Sequence, residues 1–406
     1  MTPLISRVYI KNYKSLAQVN VGLGPFCVFI GPNGSGKSNF IDALAFVHDC
    51  LSGSVELAFK NRGGISAVRR RSAGHGRPTH IGIRLILDLG DNLSADYAFE
   101  IAAKPTEQFS IARERCVVEK EFMGERHEFD VEKGKFNKEI PGIRPRVSPD
   151  RLALFAASAT EEFRPVYDFL TSMRLYSIVP VTLRKLQEPD PGEFLKPDGS
   201  NAAAVLKRIR DENQGGERFD RLCRLLSNVV QGVTKVDYRP VGQRETLQFK
   251  QQIGLKDFWT FEAFNMSDGT LRALGVLLAV YQLGRPKVLM IEEPEATIHP
   301  AVTELIVQVL EDAAQERQVL LTTHSPDILD YKELNDTQIR VVTMDRNATS
   351  IAPVSQEGRK AIRERLYTPG ELFRSDELNP DLGEAKRAAD QMELFGAPFP
   401  DKGKSN

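Results

Sequence analysis

The sequence predicts an α/β fold whose strand-and-helix core is interrupted by an antiparallel β-meander and a helical lobe. Three observations predict it. The apolar run Phe26 to Ile30 feeds directly into the glycine-rich segment GPNGSGKSN at 31–39 and then into an amphipathic stretch from Asn39 to Leu51, which is the order strand, loop, helix. Period-two runs such as IGIRLILDL, YAFEIAAK, FSIARERCVVEKEF and HEFDVEKGKF fill His80 to about Lys138, as successive antiparallel strands do. Helical spacing then governs Ser148 to Val230, before apolar strands return at Val288 to Ile291 and Gln318 to Thr323.

Taken in chain order, Ser6 to Asn12 and Gln18 to Leu23 read as short strands with a turn between them. Gly53 to Arg77, rich in glycine and arginine with Arg69, Arg70 and Arg71 in series, reads as a loop or a short irregular segment. The helical spacing is clearest over Arg151 to Met173, Ala202 to Glu212 and Phe219 to Val230, without the sustained apolar heptads of a long coiled coil. Two or three strands are expected over Val233 to Phe264, then a helix after Ser267 and another from about Pro300 to Glu316. This divides the chain into a core at 1–60 and 255–355, a β-rich insertion packed on it at 61–147, and a helical lobe with returning strands at 148–254. A C-terminal extension follows at 356–406, its end from about Ala397 read as a loose tail.

With 406 residues, a main domain carrying a sizeable insertion is expected. Hydrophobic residues at 41% and charged residues at 27% are those of a folded chain. The 54 basic and 55 acidic residues leave a formal charge of -1, so any DNA partner needs a local basic patch. Cys27, Cys50, Cys116 and Cys223 lie far apart with no CxxC, which argues against a zinc site and a disulfide scaffold. No apolar run reaches the ~18 to 20 residues that span a bilayer, and no secretory segment opens the chain. A cytoplasmic protein without membrane partners is expected.

Four motifs carry chemistry. Gly31, Gly36, Lys37 and Ser38 stand in the spacing GxxxxGKS, a phosphate cradle in which glycines let backbone N–H groups turn inward while the following helix points its positive end at the anion. Pro32, Asn33, Gly34, Ser35 and Asn39 complete the loop; Lys37 would reach the β- and γ-phosphates of ATP and the Ser38 hydroxyl would ligate Mg2+. The strand Val288 to Ile291 delivers Glu292 and Glu293 to its C-terminal edge, Glu292 to hold Mg2+ and Glu293 to polarise the attacking water. His324, after the strand Val319 to Thr323, can sense a γ-phosphate by hydrogen bonding. In NMSDGTLRAL, Ser267, Asp268 and Gly269 open a helix and would serve equally as a second anion site or as a plain N-cap.

Together these four elements resemble the ABC-type P-loop ATPases, specifically their SMC and RecF-like branch, over about residues 1–52 and 260–345. The smaller features ISRVYIKNYKSL, LKPDGSNAAAVL and YTPGELFRSDELNP resemble compact bacterial AAA-family ATPases without a long coiled coil, of the kind found in anti-phage defence systems beside an effector. The resemblance implies ATP and Mg2+ as cofactors. It makes Glu293, His324 and Lys37 catalytic, gives Ser267 and Gly269 contact with the γ-phosphate of ATP held by a second subunit, and places the D-loop at Ala296 to His299. Asp268 departs from the small residue usual in the signature, Glu292 replaces the commoner aspartate, and no glutamine in Gly53 to Arg77 serves as a Q-loop.

The leading function is therefore an ATP-hydrolysing homodimer, or higher oligomer, that acts as a switch for DNA or for a separate effector such as a nuclease or toxin. A RecF-like repair ATPase acting directly on DNA is the alternative, with Arg69 to Arg71, Arg113, Arg115, Arg144 and Arg146 as phosphate contacts or as a solvated surface. A transporter subunit is disfavoured by the large insertion and the signature. The stretch after His324 shows no acidic nuclease motif and is short for a fused catalytic domain, so a nuclease is expected on another protein.

Overall fold

The computed structural model describes residues 2–71, 78–120, 124–140, 146, 148–212, 215–230, 232–253 and 257–399. They form two units, Met1–Met173 with Asn335–Asn406, and Arg174–Leu334. The chain enters the first unit through β1 (Leu4–Tyr13), β2 (Leu16–Gly22) and β3 (Phe26–Ile30), followed by the helix Lys37–Ser52 and short helices at Val55–Lys60 and Ile65–Val68. β4 (His80–Asp88), β5 (Leu93–Ala103), β6 (Phe109–Lys120), β7 (Glu125–Glu132) and β8 (Lys135–Lys138) come next. In the second unit lie β9 (Arg174–Tyr176), β10 (Val233–Val241), β11 (Arg244–Ile253), β12 (Asp257–Glu262), β13 (Val288–Glu292) and β14 (Gln318–Thr323). β15 (Ile339–Asp345) and β16 (Ala348–Ala352) return to the first.

In the first unit an antiparallel sheet runs in the order β2-β1-β4-β5-β6-β7-β8. The meander expected from period-two spacing is there, and β1 and β2, grouped by sequence with the nucleotide core, belong to the same sheet through the β1–β4 pairing. β3 pairs in parallel with β15, which pairs antiparallel with β16. All five residues of β3 are buried, as its unbroken apolar run requires.

Three readings are corrected in this unit. Part of Gly53 to Arg77 is helical, at Val55–Lys60 and Ile65–Val68; the first has Ser54 as N-cap, its side chain accepting from Leu57 N. The helical stretch drawn from Arg151 to Met173 is two short helices, Ala153–Ala157 and Arg164–Thr171. The expected loose tail is held at its start, residues 400–406 lying outside the described residues: Arg84, 1% exposed on β4, makes a two-pronged ion pair with Asp96 (2.9 and 2.6 Å) and donates to the carbonyls of Glu393 (2.5 Å) and Ala397 (2.7 Å). Phe399 N donates to Asp96 in turn. A buried guanidinium is costly unless every donor is used, and the chain's late carbonyls use them.

In the second unit β14, β13 and β9 lie side by side in parallel, and β10, β11 and β12 form a separate antiparallel meander. The helix Asp268–Tyr281 buries nearly all its residues from Thr270 to Val280, so it is a central element rather than a surface one. It packs against the helices Ala202–Asp211, Gly215–Val229 and Pro300–Ala313.

Glu114 on β6 sets a pH dependence in the first unit. Fully buried, it accepts from Leu154 N (2.8 Å), Ala153 N and Tyr97 OH (3.0 Å), and so caps the helix Ala153–Ala157, whose own N-cap Leu152 has no acceptor side chain. Burial pushes its carboxyl up to about 7, against the opposing hydrogen bonds from Leu154, Ala153 and Tyr97. The folded state then holds a proton that the unfolded chain has released, so this contribution is full below the unfolded value of 4.5 and is lost as pH rises towards 7. Over that window wild-type stability should fall by up to about 3 kcal/mol from this group, and Glu114→Gln should flatten the decline. Urea unfolding at pH 5 and pH 7.5 measures both, and an unchanged slope in the variant would remove Glu114 as its source.

Candidate active site

The phosphate cradle is built from the backbone outward. Gly34 and Gly36 have φ of 79° and 103°, in the left-handed region where side chains are strained. A Cβ on Gly36 would collide with Thr349 Oγ1 and lie 2.8 Å from Ser15 Oγ, and one on Gly31 would collide with the carbonyl of Val342. Gly36 stands at the N-cap of Lys37–Ser52 with no side-chain hydrogen bond to the first turn, so the positive end of that helix is left for an anion. Lys37, 5% exposed, donates to Gly31 O (2.7 Å) and Pro32 O (3.1 Å), which holds its ammonium inside the curve of the loop. Ser38, Pro32, Asn33 and Gly34 are exposed at the rim, and the buried Ser35 Oγ has no hydrogen-bond partner among the described residues.

A polar brace holds this loop. Asn39 donates to Ser15 Oγ (2.7 Å), Ser15 and Thr349 share a hydroxyl hydrogen bond (2.6 Å), and Thr349 Oγ1 donates to Ser35 O (2.9 Å). Arg62 fixes the helix behind it, pairing with Asp42 (2.8 Å) and Asp49 (2.7 Å) across two turns and stacking on Phe46. Ser15, Thr349 and Arg62 were not expected from sequence. Ser15 and Thr349 are 334 positions apart, so no local spacing announces them.

In the second unit β13 ends at Glu292, and Glu293 follows with φ 44°, an unusual conformation for a non-glycine residue and one that costs energy unless held. It is held by Glu293 N donating to Thr322 O (2.9 Å), while Glu293 Oε1 lies 3.1 Å from His324 Nδ1. The two residues expected at the ends of neighbouring strands do meet. Glu295, 7% exposed, was not singled out by the motifs: its Oε1 accepts from Thr323 Oγ1 (2.5 Å) and its Oε2 is buried without a partner among the described residues. Burial raises its carboxyl, with the Thr323 hydrogen bond opposing. Arg272 is the nearby cation; burial lowers its guanidinium, and Glu293, Glu295 and Asp268 oppose that.

Ser267 is exposed and caps Asp268–Tyr281, accepting from Thr270 N (3.2 Å), which realises the N-cap reading. Asp268 pairs with Arg184, which also donates to Met266 O. A Cβ on Gly269 would come within 2.5 Å of Thr297 O, so glycine is needed where this helix start meets the segment Ala296 to His299. Of the arginines offered for DNA, Arg70 donates to Ser15 O, Arg113 is paired twice with Asp130, and Arg115 donates to Phe395 O and Gly396 O. Arg71 and Arg146 are exposed, and Arg144 lies outside the described residues.

A glycine cradle on a buried strand and a carboxylate-histidine pair on parallel strands define a P-loop ATPase. The family described as "AAA ATPase domain" matches residues 4–74, and the one described as "AAA domain, putative AbiEii toxin, Type IV TA system" matches residues 194–330. The chain is 29% identical over 179 residues to the phosphonates import ATP-binding protein PhnC 1 of Ruegeria sp., across 40% of this chain and 67% of that protein. It is 46% identical over 56 residues to the chromosome condensation protein dpy-27 of Caenorhabditis elegans, across 13% of this chain and only 4% of that protein. An Smc head bound to the C-winged helix domain of ScpA shares its fold with TM-score 0.56 at 15% identity, over 88% of this chain and 99% of that one. A Pyrococcus furiosus Smc head gives 0.54 at 13%, over 90% and 99%. The chain thus carries AAA-family ATPase domains on an SMC-head-like α/β fold, and it is an ATPase.

Lys37→Ala should weaken ATP binding by at least roughly tenfold, because a charge-assisted contact is lost from a buried cradle. Gly36→Ala should lower stability by about 1–3 kcal/mol through backbone strain in addition to its clash with Thr349. Calorimetric titration with ATP checks the first and thermal unfolding the second; wild-type values in both would undo the cradle assignment.

Proposed function

We propose that the chain is an SMC- and RecF-like ATPase that pairs with a second copy around ATP and relays its nucleotide state to a partner effector or DNA, in bacterial defence against phage or other foreign genomes. The observation that carries this reading is the exposed Ser267–Gly269 turn seated on the backbone of Thr297. An anion site there is redundant to the cradle around Lys37 within one chain, and complementary to it when two chains meet about a twofold axis. The γ-phosphate then bridges subunits, and only the triphosphate favours the closed pair.

Ser38 and Glu292 are the proposed ligands of Mg2+, which when bound neutralises charge on the phosphate oxygens. Lys37 holds the β- and γ-phosphates. Glu293 orients and polarises the attacking water, and His324, within reach of Glu293, donates to the γ-phosphate as the sensor of hydrolysis. Pro32, Asn33, Gly34, Ser35 and Asn39 contribute backbone and bracing to the cradle. The defence role is supported by the toxin–antitoxin wording of the family matching 194–330. A protein effector is supported by the exposed Phe258, Trp259 and Phe264 in the segment just ahead of the signature turn, since large apolar side chains left in water gain by burial against a partner. Direct DNA binding of the RecF kind has less support, because Arg113 and Arg115 are already paired. No helix among the described residues is long and apolar enough to cross a membrane.

Glu293→Gln should retain ATP binding, lose roughly a hundredfold or more in turnover, and form a dimer with ATP and Mg2+. Adding Ser267→Arg, a bulky side chain at the seam, should abolish that dimer. Light scattering decides: equal mass with and without ATP in the slow variant, or a dimer that survives Ser267→Arg, would sink the sandwich. Duplex DNA affinity with and without ATP, across a salt series, separates the repair reading from the effector one.

A further inference from the structure

The second unit holds a cavity of about 880 Å³ lined by Arg218, Arg221, Arg224, Arg285 and Arg317. It lies at the opposite end of the unit's strands from Glu293 and His324: Arg317 immediately precedes β14 and His324 immediately follows it, about 20 Å apart along a six-residue strand. The helix Asp268–Tyr281 likewise runs from the signature turn at its start to the cavity at its end, where Val280, Tyr281 and Gln282 contribute to the wall.

The bland reading of so many arginines is that they satisfy helix C-termini and acidic neighbours, and it accounts for three of them. Arg317, 8% exposed, donates to Val280 O (3.3 Å) and stands 3.6 Å from Glu316; Arg221 pairs with Asp312 (3.4 Å) and Arg218 with Glu212 (3.3 Å). It does not account for Arg224 and Arg285, which have no ion pair among the described residues, nor for arginines gathered where they oppose each other. Burial pushes the Arg317 guanidinium down; Glu316 opposes this, and Arg285 and Arg218 add to it. Such crowding of like charge is unfavourable unless an anion offsets it.

We propose that this cavity is a second anion site, for a compact ligand carrying two or more adjacent phosphates. Its volume is that of a small-molecule cleft. Glu217, Asp312 and Glu316 interrupt its wall, which opposes a continuous nucleic-acid backbone but leaves a short phosphate cluster room between the guanidiniums. The half-buried ring of Tyr281, near Arg221, offers a face on which a base can stack if the phosphates belong to a nucleotide.

Calorimetric titration of the full chain with sodium tripolyphosphate tests the site. Two binding events are expected in wild type, because the cradle at Lys37 also takes polyphosphate. Arg224→Glu with Arg285→Glu, both exposed and outside the catalytic machinery, should weaken one event about tenfold or more and leave ATP turnover unchanged. Lys37→Ala should remove the other. If the double arginine variant keeps both events, the cavity site is wrong; if Lys37→Ala keeps both, the nucleotide cradle is wrong instead. A nucleoside 5′-diphosphate compared with inorganic diphosphate, both titrated into the Lys37→Ala variant, assigns a nucleotide source if it binds more tightly and an inorganic one if it binds more weakly. Loss of duplex DNA binding, with tripolyphosphate binding intact, in the double arginine variant would overturn the compact-ligand proposal in favour of an extended nucleic acid.

Discussion

Much of this protein's chemistry depends on one steric constraint: the chain at Gly31 and Gly36 approaches neighbouring backbone and hydroxyls more closely than any side chain allows. That approach makes the turn before Lys37–Ser52, and the turn leaves the helix start without a side-chain cap. An uncapped helix start is unfavourable in isolation. It becomes useful where an anion satisfies it, and the hydroxyl brace of Ser15 and Thr349 holds it in readiness.

Buried charge is closed at one place in the structure and left open at another. In the first, Arg84 and Asp96 satisfy each other and then the carbonyls and amide of the chain near Glu393 to Phe399, so the pair is structural and closed. In the second, near the ends of β13 and β14, Glu295 Oε2, Thr322 Oγ1 and, on the helix Asp268–Tyr281, Arg272 Nε are buried without hydrogen-bond partners among the described residues. Unsatisfied groups of this kind concentrate where a site performs chemistry. Arg272, on the helix Asp268–Tyr281, is pushed down by burial and held up by the charges of Glu293, Glu295 and Asp268.

The elements legible in the sequence were those with a local signal. β3, the cradle, the helix Asp268–Tyr281, β13 and β14 follow from unbroken apolar runs and glycine placement, and β14 lies where its pattern put it, at Gln318–Thr323. The helices at Val55–Lys60 and Ile65–Val68 were missed because they are too short for periodicity to register among glycines, with Ser54 as the one available cap signal. Glu295 was hidden by its neighbours, since a third carboxylate beside Glu292 and Glu293 looks like loop charge until its burial is known. The partners of Arg113 and Arg115 are illegible for another reason: a guanidinium suits phosphate, carboxylate and carbonyl alike, Asp130 meets Arg113 only through the β6–β7 register, and the carbonyls of Phe395 and Gly396 lie some 280 positions from Arg115.

The brace around the cradle also sets an order of events during synthesis. Gly36 leaves the ribosome more than 300 residues before Thr349 and β15, and Arg84 more than 300 residues before the carbonyls of Glu393 and Ala397. Residues 174–334 form a contiguous unit between them and have their own partners as soon as they emerge. The antiparallel sheet of the first unit is complete by Lys138, but β3 must wait for β15, and Arg84, already paired with Asp96, for the carbonyls that take its remaining donors, so these contacts carry the loop-closure entropy of long separation. A nascent chain interrupted before residue 349 therefore exposes a phosphate loop without its support, and the brace closes only once Thr349 has been made.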